Sequence, residues 1–142
     1  MRGAKFVVAL FDNGYGSFNP YSPDEMIMFY TVFLRWTIED TTLGLIIKSK
    51  KPQFIERLPQ IQALLKKALG TGRCIKISQR GVLAASAARG ADMTVGIGIS
   101  TAVTEAVIEG CRGVHYDPTR SRAHEYYNWG HKELILDRKS VV

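Results

Sequence analysis

Asp92-Met93-Thr94-Val95-Gly96-Ile97-Gly98-Ile99-Ser100-Thr101-Ala102-Val103-Thr104-Glu105 is the stretch that decides how this chain is read. Asp92–Ile97 is mostly apolar, as in a strand buried on both faces of a parallel sheet. Two glycines and two hydroxyl residues follow, and Thr101–Glu109 then reads as a helix closed by Gly110. A helix start directs its free N–H groups and its positive dipole end into the preceding loop, which suits a phosphate or diphosphate. Gly98, Ser100 and Thr101 are the loop residues that would meet it. Ser100 or Thr101 equally fits a helix N-cap, which needs no ligand. The glycines do not complete a G-x-G-x-x-G fingerprint, because Thr101 stands at the third position. Glu105 lies one turn further on, on the same helix face, where a carboxylate can accept from both hydroxyls of a ribose. The plain alternative is an exposed helix glutamate.

Outward from this junction the same alternation repeats. Lys5–Phe11 is a β-branched apolar strand that runs into the turn formers Asp12-Asn13-Gly14. Ser22-Pro23-Asp24-Glu25 caps and opens a largely apolar helix, expected to be well buried, over Asp24–Asp40. A strand over Leu43–Lys48 and one amphipathic helix over Gln53–Leu69 follow, the helix ended by Gly70-Thr71-Gly72. Then come a strand at Cys74–Ile77, a helix at Gly81–Gly90 and the quoted strand and helix. A strand at Gly113–Tyr116, a helix at Arg120–Trp129 and a strand at Glu133–Leu136 complete the chain. This order predicts a single α/β domain over residues 1–142. It is a three-layer Rossmann-like unit of about six mostly parallel strands with helices on both faces. Ligands of such sheets bind outside the carboxyl ends of the strands, so site residues must come from those loops.

Composition narrows the class further. Of 142 residues, 46% are hydrophobic and 23% charged, which argues against disorder. The net charge is +6, yet residues 48–80 alone carry +8 (nine Lys/Arg against Glu56), so the remainder sums to −2. A local basic field suits an anionic ligand, nucleic acid or an acidic membrane surface; a solvated helix face is the bland alternative for Lys66 and Lys67. Lys48 ends a buried strand and can meet a diphosphate as a point charge, with Lys50 and Lys51 beside it. Cys74 and Cys111 lack ligand spacing and read as small core residues of a reduced, cytoplasmic protein. No stretch is long enough to span a membrane. His115 reads as a strand residue and His131 as a turn residue, so no metal site is expected.

The run from Ala91-Asp92-Met93 through Ser100-Thr101-Ala102-Val103-Thr104-Glu105-Ala106 to Glu109-Gly110 resembles the C-terminal half of GT-B-type glycosyltransferases. It is also similar to bacterial surface-carbohydrate (capsular polysaccharide) biosynthesis proteins and to UDP-N-acetylglucosamine 2-epimerases. The likeness extends to Phe11-Asp12-Asn13, to Ile47-Lys48-Ser49-Lys50-Lys51-Pro52 and to His124-Glu125-Tyr126-Tyr127-Asn128-Trp129-Gly130. It implies a nucleotide-sugar-binding domain, with a UDP-sugar as substrate and no separate cofactor. Ser100 and Thr101 would bind the diphosphate, Glu105 the ribose, and Lys48 and Arg120 would flank as cations. Asp12 would face the interdomain cleft, acting on an acceptor or capping its turn. His124 would be a proton carrier or an ordinary surface histidine. A second Rossmann-like domain, in this or another chain, would supply the acceptor half, so the chain alone is expected to bind weakly and catalyse little. The location implied is cytoplasmic or peripheral to the inner face of the membrane.

Two other readings compete. A non-enzymatic nucleotide- or RNA-binding α/β module would use the 48–80 basic patch. A scaffold or homodimer would use the apolar Met26–Trp36 helix and the Tyr126-Tyr127-Trp129 segment as interfaces.

Overall fold

In the computed structural model, strand β1 (Phe6–Phe11) is paired in parallel on both sides, with β2 (Leu43–Lys48) on one and β4 (Met93–Ile97) on the other. The structure describes residues 3–12, 21–77, 84–98, 100–117 and 135–137. With β3 (Cys74–Ile77), β5 (Gly113–Asp117) and β6 (Ile135–Asp137) the sheet has the order β3-β2-β1-β4-β5-β6, every pair parallel. The chain therefore winds outward from β1 to one edge, returns, and winds outward to the other. This doubly wound order defines a Rossmann-like α/β domain, with its reversal between β1 and β4.

A strand rich in apolar residues serves both faces because its side chains alternate. Val8 and Leu10, with Leu45, Ile47, Val95 and Ile97, pack under α1 (Pro23–Glu39) and α3 (Gln62–Gly70). Ala9, Phe11 and Ile46 turn the other way, onto Ala87 and Ala88 of α4 (Ala84–Arg89) and Val103 and Ala106 of α5 (Thr101–Ile108). The second layer uses small residues and sits close. A Cβ on Gly96 would lie 2.7 Å from Ser100 Cβ and Val103 Cγ2, and one on Gly113 would lie 2.7 Å from Val103 Cγ1 and Val107 Cγ2. Two residues without side chains thus let α5 settle onto β4 and β5.

The start of α1 follows the sequence reading. Pro23 occupies the first turn, and Ser22 and Glu25 form a reciprocal capping box, with bonds of 3.2 and 3.1 Å. Its end depends on a distant residue. The last turn of α1 has no basic residue. The buried Arg73, just before β3, supplies one: its Nη1 donates to the carbonyls of Thr37, Asp40 and Leu43 at 2.7, 2.6 and 2.8 Å. A cation thereby meets the negative end of the helix and ties α1, the α1–β2 turn and β3 together.

Three expectations change. The single helix over Gln53–Leu69 is instead α2 (Pro52–Glu56), a 3-10 turn (Pro59–Ile61) and α3. Pro59 has no N–H and biases Leu58 away from helical backbone, here φ −108° and ψ 84°. Gln62 covers the break, its Nε2 donating to the carbonyls of Ile55 and Leu58. Second, α1 is not buried all round. Met28, Val32 and Trp36 lie one turn apart and are 46%, 38% and 50% exposed, beside an apolar groove of about 350 Å³ bordered by Phe33, Val95 and Tyr116. Third, Arg73 leaves the basic surface for the interior, and Lys76 pairs with Glu56 at 3.4 Å. The expected helix Arg120–Trp129 lies outside the described residues, and the last strand is seen at Ile135–Asp137.

Arg73→Ala should lower the free energy of unfolding by about 2–4 kcal/mol in urea melts, since it strips a charged donor from three carbonyls. Arg73→Lys should recover part of that loss, because an ammonium also carries several donors. A stability unchanged by Arg73→Ala would mean that water replaces the guanidinium at no cost.

Candidate functional site

The carboxyl ends of β1 and β4 meet where the strand order reverses, and the buried polar residues Asp12, Ser49 and Ser100 follow strand ends there. Phe11, the last residue of β1, is paired with Lys48 on one side and Gly96 on the other. The next residue, Asp12, is buried. Its carboxylate accepts from Tyr30 Oη of α1 at 2.5 Å, from the backbone N–H of Lys50 at 2.6 Å, and from Ser49 Oγ. These three donors bind the end of β1 to α1 and to the loop after β2. Burial pushes the Asp12 carboxyl above its usual range, opposed by Ser49, Tyr30, the Lys50 amide and the Lys48 charge. Lys48 is half-buried and donates from Nζ to the carbonyl of Ser49 at 3.1 Å, while Lys50 and Lys51 are exposed.

Across the reversal, Gly98 adopts φ +67°, a left-handed conformation that favours glycine. A Cβ there would overlap the phenol oxygen of Tyr21, so this ring packs directly on the loop backbone. The Gly98 N–H donates to Tyr116 of β5 at 2.5 Å. Ser100 is the N-cap of α5, its Oγ accepting from the Val103 N–H at 3.4 Å. Its own N–H donates to Nδ1 of the buried His115 at 3.0 Å. Among the described residues no acceptor meets the N–H groups of Thr101 and Ala102, the first two residues of the helix.

The residues named from sequence divide accordingly. Asp12 and Lys48 come together on the β2 side of the reversal, and Gly98, Ser100 and Thr101 line its β4 side. Ser100 spends its hydroxyl on the cap. Thr101 and Glu105 are exposed, and Glu105 stands one helical turn beyond the open amides. Arg120 and His124 lie outside the described residues, as do Asn13 and Gly14. Cys74 is buried, with its thiol pushed up to about 12 by burial, and is inert; Cys111 is a partly buried free thiol. Among the described residues no group of three His, Cys, Asp or Glu side chains is placed to hold a metal ion. Nor is any helix among them long and apolar enough to cross a membrane.

Sequence reasoning missed Tyr21, Tyr30, Ser49, His115 and Asp117. His115 and Asp117 had a usable signal: Gly113, His115 and Asp117 alternate along β5, so all three turn to the α5 face, and the last two are buried. Tyr21, Tyr30 and Ser49 had none, since each reaches the site through the fold. The chain matches no family model, no curated protein and no solved structure.

The Asp12 shift has a definite sign. The folded protein holds this proton more tightly than the unfolded chain, so the contribution to stability is full below the unfolded carboxyl value and is lost as pH rises through the folded one. Asp12→Asn removes the titration. Between about pH 4 and pH 7, the unaltered protein should lose stability relative to Asp12→Asn in urea melts. The opposite trend would show that the three donors outweigh burial.

Proposed function

We propose that the chain binds a nucleoside diphosphate sugar, with UDP-sugars the leading class, at the β4–α5 junction. In this reading it is the nucleotide-binding half of a glycosyltransferase-like protein of surface-polysaccharide biosynthesis. One observation carries the proposal. At the point where strand order reverses, a left-handed glycine opens onto a capped helix whose first two N–H groups have no acceptor among the described residues. The amides of Thr101 and Ala102, with the helix dipole behind them, hold the diphosphate. Glu105 accepts from the ribose hydroxyls. Lys48 and Arg120 add positive charge.

The chemistry asked of these groups is charge stabilisation. As the sugar bond breaks, negative charge builds on the departing diphosphate, and fixed N–H donors stabilise it without reorganising. Asp12 is not assigned the acceptor-side base. Its carboxylate accepts three bonds, two of which fix the loop that follows Lys48, and acceptor activation falls to a second Rossmann-like domain. The competing reading, an RNA-binding module, draws on the exposed Lys50, Lys51, Lys66 and Lys67. It is weakened by the burial of Arg73 and by the Lys76–Glu56 pair, which take two cations out of the basic stretch.

Calorimetry with UDP and UDP-N-acetylglucosamine tests the assignment. Binding is expected at or below about millimolar dissociation constants, roughly the weak end of specific recognition. Thr101→Pro is the sharpest variant. Proline is tolerated at the first helical position and Ser100 already has extended backbone (φ −103°, ψ 124°), so the fold should persist while one phosphate donor is lost. An affinity loss of about tenfold is expected, equivalent to about 1.4 kcal/mol. Glu105→Ala should cost a similar factor for nucleotides and nothing for inorganic pyrophosphate. A folded chain that binds no common nucleoside diphosphate at millimolar concentration overturns the proposal. Salt-sensitive RNA binding that survives Glu105→Ala would instead support the module reading.

A further inference from the structure

Beneath the first turn of α5 lies a histidine to which the nucleotide reading gives no task. His115 is buried on β5, at the position paired with Gly96 of β4. Its Nδ1 accepts the backbone N–H of Ser100 at 3.0 Å. An imidazole nitrogen accepts only when it carries no proton, so this bond requires the neutral ring with its proton on Nε2. The contact is built by the two glycines. Without side chains at Gly96 and Gly113, the start of α5 descends onto β4 and β5 until the Ser100 amide reaches the ring. The first amides of the helix are then sorted. Ser100 donates to His115 and Val103 to Ser100 Oγ, while Thr101 and Ala102 meet no acceptor among the described residues.

We propose that His115 is the positioning residue of this loop, and that its neutral form is required for the loop to bind an anion. Holding the Ser100 N–H fixes the peptide plane that enters the helix, and with it the direction of the next two N–H groups. Protonation converts the acceptor into a donor facing a donor, at the positive end of a helix, and releases the peptide. Among the described residues, acids stand on β5 and at α5, the elements that meet at the ring. Asp117 lies two residues on along the same face of β5. The acids of α5 and its C-cap are the exposed Glu105 and Glu109, the latter bridged to Arg89. Strand β4 carries no titratable side chain between Met93 and Ile97. The choice of an anion as ligand rests on the nucleotide reading; the His115–Ser100 coupling does not.

The test joins two measurements on the full chain. Nitrogen-15 NMR follows the His115 ring and the exchange of the Ser100 amide with pH. Calorimetry follows UDP-N-acetylglucosamine, whose diphosphate is a diester and does not titrate in this range. Ser100 amide protection and sugar-nucleotide affinity should both fall as His115 gains its second proton. His115→Asn keeps an acceptor near the Nδ1 position but cannot titrate, so it should hold affinity within about threefold and flatten the pH profile, roughly within 0.7 kcal/mol. His115→Leu should lose about tenfold even at high pH. A Ser100 amide whose exchange ignores the His115 titration overturns the inference, as does a His115→Asn profile that matches the unaltered protein. Intact NMR coupling in a chain that binds no sugar nucleotide supports the positioning role and overturns the nucleotide reading instead.

Discussion

Parallel pairing of β1 on both sides is the constraint from which the site follows. Strand β1 is bonded to a neighbour on each side and carries no polar side chain from Phe6 to Phe11. The first polar group along it appears past its last residue. It does so at Asp12, still under α1 and still buried. A carboxylate in that place needs donors, and they arrive from α1 (Tyr30) and from the loop after β2 (Ser49 and the Lys50 amide). One acidic residue thus locks the ends of two strands and a helix at the reversal of strand order.

The opposite wall of the reversal is made by absence. Gly96 and Gly113 have no side chains to hold α5 away, so the helix start comes within reach of His115. Gly98 then turns the chain in a conformation that other residues adopt only at a cost, against the ring of Tyr21. A close-packed helix start has a narrow choice of peptide orientations, and that rigidity is what an anion-binding loop requires. The proposed function draws on this preorganisation more than on any one polar side chain.

The two faces of the sheet differ. The α4–α5 face is rich in Ala and Gly around Phe11, Ile46 and Val103, and α5 packs closely on it. The α1 face holds the larger core, and it also leaves Met28, Val32 and Trp36 open along an apolar groove. A helix that is apolar nearly all round gives no sequence signal for which stripe is covered. Periodicity reports a polar face, and α1 has almost none.

Over the described residues, sequence alone determined the alternation of strands and helices, the Ser22 cap, and the junction at Gly96–Glu105. These are local properties, set by side-chain period, capping chemistry and glycine. It overran at Pro59, where a helical apolar period masked a residue that cannot continue a helix. Tertiary structure decided the strand order, and with it which loops share the reversal. It brought Tyr30 and Ser49 to Asp12, 18 and 37 residues away in the chain, and His115 to Ser100, 15 residues away. It also took Arg73 out of an apparent basic patch to close α1. No local pattern encodes such meetings. They exist because a parallel sheet gathers its strands' carboxyl ends on one side and their amino ends on the other, where buried polar groups must find partners from whatever the fold places there.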